Sequence, residues 1–318
     1  MTADISKHSI EKAHKTIASY IHRTPVLQSE TLNEQLGCTV YFKCENFQKA
    51  GSFKSRGATN ALFSNIEAAR MHGVATHSSG NHAQALARVA KKAGVTAYIV
   101  MPENSNELKV DAVREYGGII RFCPPTLQAR EETLAHVIKE TGAIEIHPYD
   151  NPFVIAGQAT AAKELIEDIP EPLELLITPV GGGGLLSGTA LSCSYFSPDT
   201  QVIAAEPEQA NDAWQSFMSK TFIPSFKPDT IADGLKTSLG KITFPIILKH
   251  VQNILTVSEW SIIESMKLVW LRMKIIIEPS SAVVIAAIRD YPEIFSGKKV
   301  GAIISGGNAD IYNLPWNE

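Results

Sequence analysis

Cysteine is sparse in this 318-residue sequence: Cys38, Cys44, Cys123 and Cys193 are scattered, without CxxC spacing. That density excludes a disulfide-stapled scaffold and predicts reduced, buried thiols in a cytoplasmic protein. No apolar run reaches the roughly 18 residues of a membrane span. The opening stretch "MTADISKHSIEKAHKTIASY" mixes charges with apolar residues at helical spacing and lacks the uninterrupted apolar core of a signal peptide. Lys and Arg are nowhere concentrated and the formal net charge is −4, so neither a nucleic-acid footprint nor a membrane patch is expected. Low-complexity linkers and fixed-period repeats are absent too. What is present is a globular composition, 44% hydrophobic and 19% charged, of a length that suits two lobes and small-molecule partners.

Apolar runs of strand length alternate with amphipathic helical windows, the pattern of βα units around a largely parallel sheet, so the fold class is α/β. Strands are predicted over 39–46, 73–79, 95–102, 119–125 and 143–148, with helices over 54–70, 80–94, 106–118 and 127–142. A second series opens with a helix over 154–169 and runs through strands over 173–180, 200–207 and 298–307. Two series imply two open, mostly parallel, twisted sheets flanked by helices. The expected division is a large lobe from residues 1–72 plus 148–318 and a small lobe from 73–147, joined by crossings near 70–74 and 146–150.

The strongest chemical signal is "PVGGGGLLSG", residues 179–188, where Gly181, Gly182, Gly183 and Gly184 follow a strand and precede a helix. Glycines let the backbone approach a ligand, and a helix N-terminus adds unpaired N–H groups that favour an anion. The dinucleotide pattern fails in both registers, and Thr189 stands where a P-loop needs lysine. A phosphate site without nucleotide signatures suggests a phosphorylated cofactor, and a Schiff-base lysine specifies pyridoxal 5′-phosphate. Lysines are ordinarily solvated. In "AGSFKSRG", however, Lys54 stands at a predicted helix start between Gly51 and Gly57, with Phe53 offering a ring face. The partly positive helix end would ease deprotonation of its amine.

Three further stretches add weaker signals. In "HSSGNHAQA", Ser78, Ser79, Gly80, Asn81 and His82 offer donors on one strand-to-helix loop, which suits a carboxylate; a Ser/Asn helix cap explains only one or two of them. "GAIISGGNAD" ends a strand with Ser305, whose hydroxyl suits a ring nitrogen. "AAEPEQANDAW" carries Glu206, Glu208 and Asp212, hard oxygen ligands for Mg²⁺ or Ca²⁺ if they are not simply solvated.

These blocks, in this order and over nearly the whole chain, resemble the fold-type II pyridoxal phosphate enzymes, within them the serine racemase and serine/threonine dehydratase group. The resemblance also takes in "HRTPVLQSETLNEQLG", "VIAGQATAAKEL", "TIADGLKTSLG" and "LRMKIIIEP". It implies that Lys54 carries the cofactor, that Phe53 and Asn81 contact its ring and hydroxyl, that Gly181 to Gly184 and Leu185 bind its phosphate, and that Ser305 faces the pyridine nitrogen. It implies a substrate carboxylate on the Ser78 to His82 loop. Ser79 matches the residue opposite the lysine in racemases, and Glu206, the Ala210 carbonyl and Asp212 match a divalent-cation site for Mg²⁺, Ca²⁺ or Mn²⁺. A homodimer is implied, and ATP as an activator, as in some relatives. The short C-terminal tail leads us to expect no regulatory domain and no control by isoleucine. The expected activity is racemisation of serine together with elimination of water from serine or a related β-hydroxy amino acid. The alternative is an L-threo-3-hydroxyaspartate or L-threonine ammonia-lyase, for which Arg130 is a candidate second carboxylate contact unless it is a surface helix residue. A non-catalytic carrier of the cofactor would need no carboxylate loop.

Overall fold

The computed structural model describes residues 5–225 and 227–316. Its strands are β1 (Val26–Leu27), β2 (Thr39–Cys44), β3 (Val74–His77), β4 (Ala97–Pro102), β5 (Ile119–Cys123), β6 (Ile144–Glu145), β7 (Leu175–Pro179), β8 (Gln201–Pro207), β9 (Asn253–Val257) and β10 (Lys299–Ile304). They build two sheets, ordered β1-β2-β10-β7-β8-β9 and β5-β4-β3-β6. Every pairing is parallel except β1 with β2. Parallel strands covered on both faces must be apolar throughout, and β7 is buried at every position.

The last strand, β10, is inserted between β2 and β7, so the segments leaving the carboxyl ends of these three strands emerge together. Ligands of open α/β sheets gather at such places. A single antiparallel bridge from Ser52 to Gly306 fastens the segment after β2 to the exit of β10.

The helix expected over 54–70 is two helices, Lys54–Ser64 and Ile66–His72. Asn65 leaves helical geometry (φ −129°, ψ 26°), and its side-chain amide donates to the Ala61 carbonyl at 2.9 Å, the local competition with backbone bonding that makes asparagine a helix terminator. Ala58, Ala61, Leu62 and Ala69 of these helices pack in one cluster with Leu86 and Ile99. The core of the smaller sheet therefore includes helices that precede residue 73. Gly57 serves this packing: a Cβ there would lie 2.4 Å from Gln158 Nε2, and one on Gly157 would lie 2.7 Å from the Arg56 carbonyl oxygen. The tight approach at Gly57 is thus between two helices. β1, β9 and the helices Glu30–Leu36, Thr243–His250, Glu259–Met273 and Pro279–Asp290 have no counterpart in the sequence reading.

Candidate functional site

Lys54 is the first residue of its helix, and Arg56, two residues on, anchors that helix. The Arg56 guanidinium donates to Glu45 at 2.8 Å from Nε and 2.8 Å from Nη2, and to Glu164 at 2.8 Å from Nη1 and 2.7 Å from Nη2. Lys43 Nζ lies 2.8 Å from Glu164 Oε2. The four side chains are at most 1% exposed. Two buried cations face two buried carboxylates, so the charges balance and the polar atoms are hydrogen-bonded, the condition under which buried charge is tolerated. The tetrad ties β2, the turn after it and the helix Pro152–Asp168 to the start of the Lys54 helix.

A cavity of about 760 Å³ opens where the two sheets meet the exits of β2, β3, β7 and β10. Phe53, Lys54, Ser78, Ser79, Gly80, Asn81, His82, Arg130, Gly181, Gly182, Gly183, Gly184, Leu185 and Ser305 all line it. Lys54 Nζ donates to the Pro148 carbonyl at 3.0 Å and lies 5.1 Å from the Phe53 ring centre. Burial lowers its amine to about 8, against the opposing charge of Glu278. Removal from water, rather than the helix end invoked from sequence, is the leading cause.

The four glycines are required by close approach. A Cβ on Gly182 would sit 2.3 Å from the Tyr149 ring, and Gly183 adopts φ +86°. Gly183 is the N-cap of the helix Gly184–Phe196 and supplies no side-chain cap, so the first N–H groups of that helix lack intrahelical partners and open onto the cavity. Gly80 has open space where a Cβ would be, and Ser78 Oγ accepts from its N–H at 3.3 Å. Ser305 is buried, with its hydroxyl 2.9 Å from that of Ser281. Arg130, which its helix position alone would leave on the surface, reaches the cavity wall.

Several groups escaped the sequence reading. Asn81 Nδ2 donates to the Glu278 carboxylate, lying 2.9 and 3.1 Å from its two oxygens, while Asn308 Nδ2 donates to Asn81 Oδ1 at 2.8 Å. Burial raises the Glu278 carboxyl to about 7, with Asp233 adding to the effect and the Asn81 bond opposing it. Glu278 lies inside the quoted stretch "LRMKIIIEP", but nothing in its spacing marked it as a cavity residue. Tyr149 and His147 also line the cavity. Lys109 pairs with Asp233 across its mouth, and Asn106 donates to Asp310 at 3.0 Å.

Glu206, Ala210 and Asp212 lie outside this cavity, at the exit of β8, and all three are buried. Glu208 is exposed. Burial raises the Glu206 carboxyl well above its usual range, with Asp212 adding to the effect, and raises Asp212 to about 6. Asp212 Oδ2 has no hydrogen-bond partner among the described residues. Also among the described residues, no group of three or more His, Cys, Asp or Glu side chains is arranged around one point. Two buried carboxylates, one with an orphaned oxygen, are a donor set that fits a hard cation completed by backbone and water oxygens.

The family described as "Pyridoxal-phosphate dependent enzyme" matches residues 17–306. The chain is 50% identical over 305 residues to a beta-hydroxyaspartate dehydratase of Paracoccus denitrificans, covering 96% of each protein. It is 49% identical over 317 residues to a serine racemase of Dictyostelium discoideum, covering 98% of this chain and 97% of the relative. The crystal structure of the Dictyostelium serine racemase superposes with a TM-score of 0.91 at 49% identity, covering 96% of this chain and 99% of the other. The cavity fits the cofactor these comparisons imply. It holds a lysine whose amine burial has made easier to deprotonate, a glycine turn without a side-chain cap that suits a phosphate, and a buried serine hydroxyl beyond them. The chain therefore belongs to the pyridoxal-phosphate dependent enzyme family, with the fold-type II architecture.

Proposed function

We propose that the protein racemises serine and eliminates water from serine or a related β-hydroxy amino acid, releasing a 2-oxo acid and ammonia. The observation that carries this reading is that Lys54 and Ser79, a potential base and a potential acid, line one cavity with the uncapped glycine turn. Lys54 would hold the cofactor, Gly181 to Gly184 and Leu185 would take its phosphate, Phe53 and Asn81 would contact its ring and hydroxyl, and Ser305 would serve its ring nitrogen. Pyridoxal phosphate supplies the electron sink that makes the α-proton of a bound amino acid acidic. The Ser78 to His82 loop holds the substrate carboxylate through hydroxyl and backbone N–H donors. Displaced from the cofactor by the substrate amine, Lys54 would be the free base that takes the α-proton, and its burial, which lowers the amine to about 8, would favour that neutral form. In elimination Lys54 returns that proton to the departing β-hydroxyl, which leaves as water. In racemisation Ser79 delivers a proton to the opposite face. Ser305 is neutral and would hold a proton on the ring nitrogen less firmly than a carboxylate would, which would favour loss of the β-hydroxyl over reprotonation.

A second reading, an L-threo-3-hydroxyaspartate ammonia-lyase, has its own support. Arg130 lines the cavity, where it offers a bidentate site for a second substrate carboxylate, and a relative at 50% identity is a beta-hydroxyaspartate dehydratase. L-Threonine is the further alternative. We also propose a cation, Mg²⁺ or else Ca²⁺ or Mn²⁺, on Glu206, the Ala210 carbonyl and Asp212, where it would neutralise two buried carboxylates and stiffen the exit of β8. The protein is proposed to work in the cytoplasm as a homodimer; Trp260 and Leu271, exposed on one face of the helix Glu259–Met273, are apolar surface that a partner copy would cover. Activation by ATP rests on resemblance alone, and turnover with and without ATP decides it.

One assay separates the readings: L-serine, D-serine, L-threonine and L-threo-3-hydroxyaspartate side by side, following 2-oxo acid and both serine enantiomers. Racemisation that is lost in Ser79→Ala, with elimination spared, supports the first reading. Exclusive turnover of hydroxyaspartate, lost in Arg130→Ala, supports the second. Inertness towards all four substrates overturns both.

A further inference from the structure

Thr243 opens the helix Thr243–His250 and is fully buried. Its Oγ1 accepts from the Gly240 N–H at 2.7 Å, and it lies 2.9 Å from the Gly182 carbonyl oxygen and 3.4 Å from that of Gly240. A hydroxyl has one hydrogen to give, and the shorter contact takes it, so the Thr243 O–H donates to Gly182. The same side chain backs the next glycine: a Cβ on Gly183 would lie 2.8 Å from Thr243 Oγ1. Ser187, on the helix Gly184–Phe196, donates in turn to the Thr243 carbonyl at 3.3 Å.

The bond to Gly182 fixes the direction of a peptide plane. In a trans peptide the C=O and the N–H that follows it point in opposite directions, and among the described residues every peptide is trans. Gly182 and Gly183 line the cavity, whereas Thr243 stands behind them, outside its lining. With the Gly182 carbonyl turned back to Thr243, the Gly183 N–H is turned towards the cavity. A peptide between two glycines meets little steric resistance to rotation, and in the reversed orientation it would present a carbonyl oxygen to a bound anion. Glycine supplies the room for this turn, and its direction has to come from a partner.

Asp150 seats that partner. Its carboxylate accepts from the Ile242 N–H at 2.8 Å and from the Lys241 N–H at 3.0 Å, at a helix entrance where Ile242 offers no side-chain cap. Gly240 leaves room for it, since a Cβ there would meet the carboxylate. We propose that Thr243, seated by Asp150, is a positioning residue that locks the Gly182–Gly183 peptide with its N–H towards the cofactor phosphate. The inference rests on the glycine turn being the phosphate site proposed above.

The test compares two ligands of the full-length protein freed of cofactor, pyridoxal phosphate and pyridoxal, each titrated by visible absorbance. Pyridoxal has the ring and the aldehyde without the phosphate, so the ratio of the two affinities isolates the phosphate contacts from the rest of the site. Thr243→Val keeps the shape and removes the hydroxyl. It should weaken pyridoxal phosphate roughly tenfold, the order of one hydrogen bond, and leave pyridoxal unchanged. Thr243→Ser keeps the hydroxyl and should restore the wild-type ratio, which a loss of helix packing would not allow. An unchanged ratio in Thr243→Val, or an equal fall in Thr243→Ser, overturns the lock. Should Thr243→Val not fold, Asp150→Asn, which gives up one of the two acceptor oxygens, is read in the same way: a smaller fall in the ratio supports the lock and an unchanged ratio overturns it. Gly182→Ala separates this inference from the reading beneath it. If that variant also leaves the ratio unchanged, the turn is not the phosphate site; if it lowers the ratio while Thr243→Val does not, the lock alone falls.

Discussion

Replacing Glu164 by glutamine tests what holds the helix that begins at Lys54 in place. The substitution keeps shape and removes one charge, leaving Arg56 with Glu45 and Lys43 with the part-exposed Asp168 at 3.5 Å as counter-charges. Breaking a buried, hydrogen-bonded ion pair costs roughly 3–5 kcal/mol, and glutamine can accept only part of what the carboxylate accepts from Arg56 and Lys43. An exposed pair gives the comparison: Lys299 with Glu171 is about half exposed on both sides, and Glu171→Gln should cost about 0–1 kcal/mol. Urea unfolding of the holoenzyme, followed by circular dichroism at pH 7.5, measures both. Burial alone would raise the Glu164 carboxyl, but hydrogen bonds from His14 and Arg56 and the charges of Arg56 and Lys43 hold it well below its usual 4.5. A depressed carboxyl contributes stability above its unfolded value and loses it on acidification, so the gap between wild type and variant should persist down to about pH 4.5 and shrink below it. A Glu164→Gln loss no larger than that of Glu171→Gln would refute the assignment of the tetrad as the anchor of the Lys54 helix.

Three further perturbations have defined outcomes. Glu278→Gln removes the anion that raises the Lys54 amine, so the pH profile for cofactor capture by apoenzyme should move to lower pH; a shift the other way or none contradicts the coupling. Gly182→Ala drives a Cβ to 2.3 Å from the Tyr149 ring and should weaken pyridoxal phosphate binding at least tenfold by fluorescence titration, about 1.4 kcal/mol, with Tyr149→Ala restoring part of the loss. Mg²⁺ should raise the melting temperature at pH 7.5 and do so progressively less as pH falls through 6, because a cation needs Asp212 ionised and protons compete for it there. Equal stabilisation at pH 5, or none at pH 7.5 after chelation, argues against the site.

Much of the site was legible because its chemistry demands particular residue types within short stretches. Four glycines in a row, or two serines before Gly-Asn-His, restrict what the backbone does wherever the chain goes. The tetrad of Lys43, Glu45, Arg56 and Glu164 was invisible for the opposite reason. Its members are ordinary charged residues up to 121 positions apart, and only the packing of the helix Pro152–Asp168 against the Lys54 helix takes them out of water. Glu278 was missed in the same way, since a glutamate before Pro279 reads as a helix entry until Asn81 arrives from the other sheet. In the fold, apolar runs marked eight of the ten strands, while β1 is only two residues long and carries no period of its own. Asn65 divided a helix that periodicity alone had joined, and Gly57 answered to a neighbouring helix that local sequence does not contain.

The central claim is that Lys54 carries the cofactor. Borohydride reduction of the protein loaded with pyridoxal phosphate, followed by proteolysis and mass spectrometry, reads the attachment directly. The account predicts a pyridoxyl phosphate mass on the peptide containing Lys54, and loss of both that adduct and the visible absorbance in Lys54→Ala. An adduct on a different lysine, or an unchanged spectrum in Lys54→Ala, would contradict it.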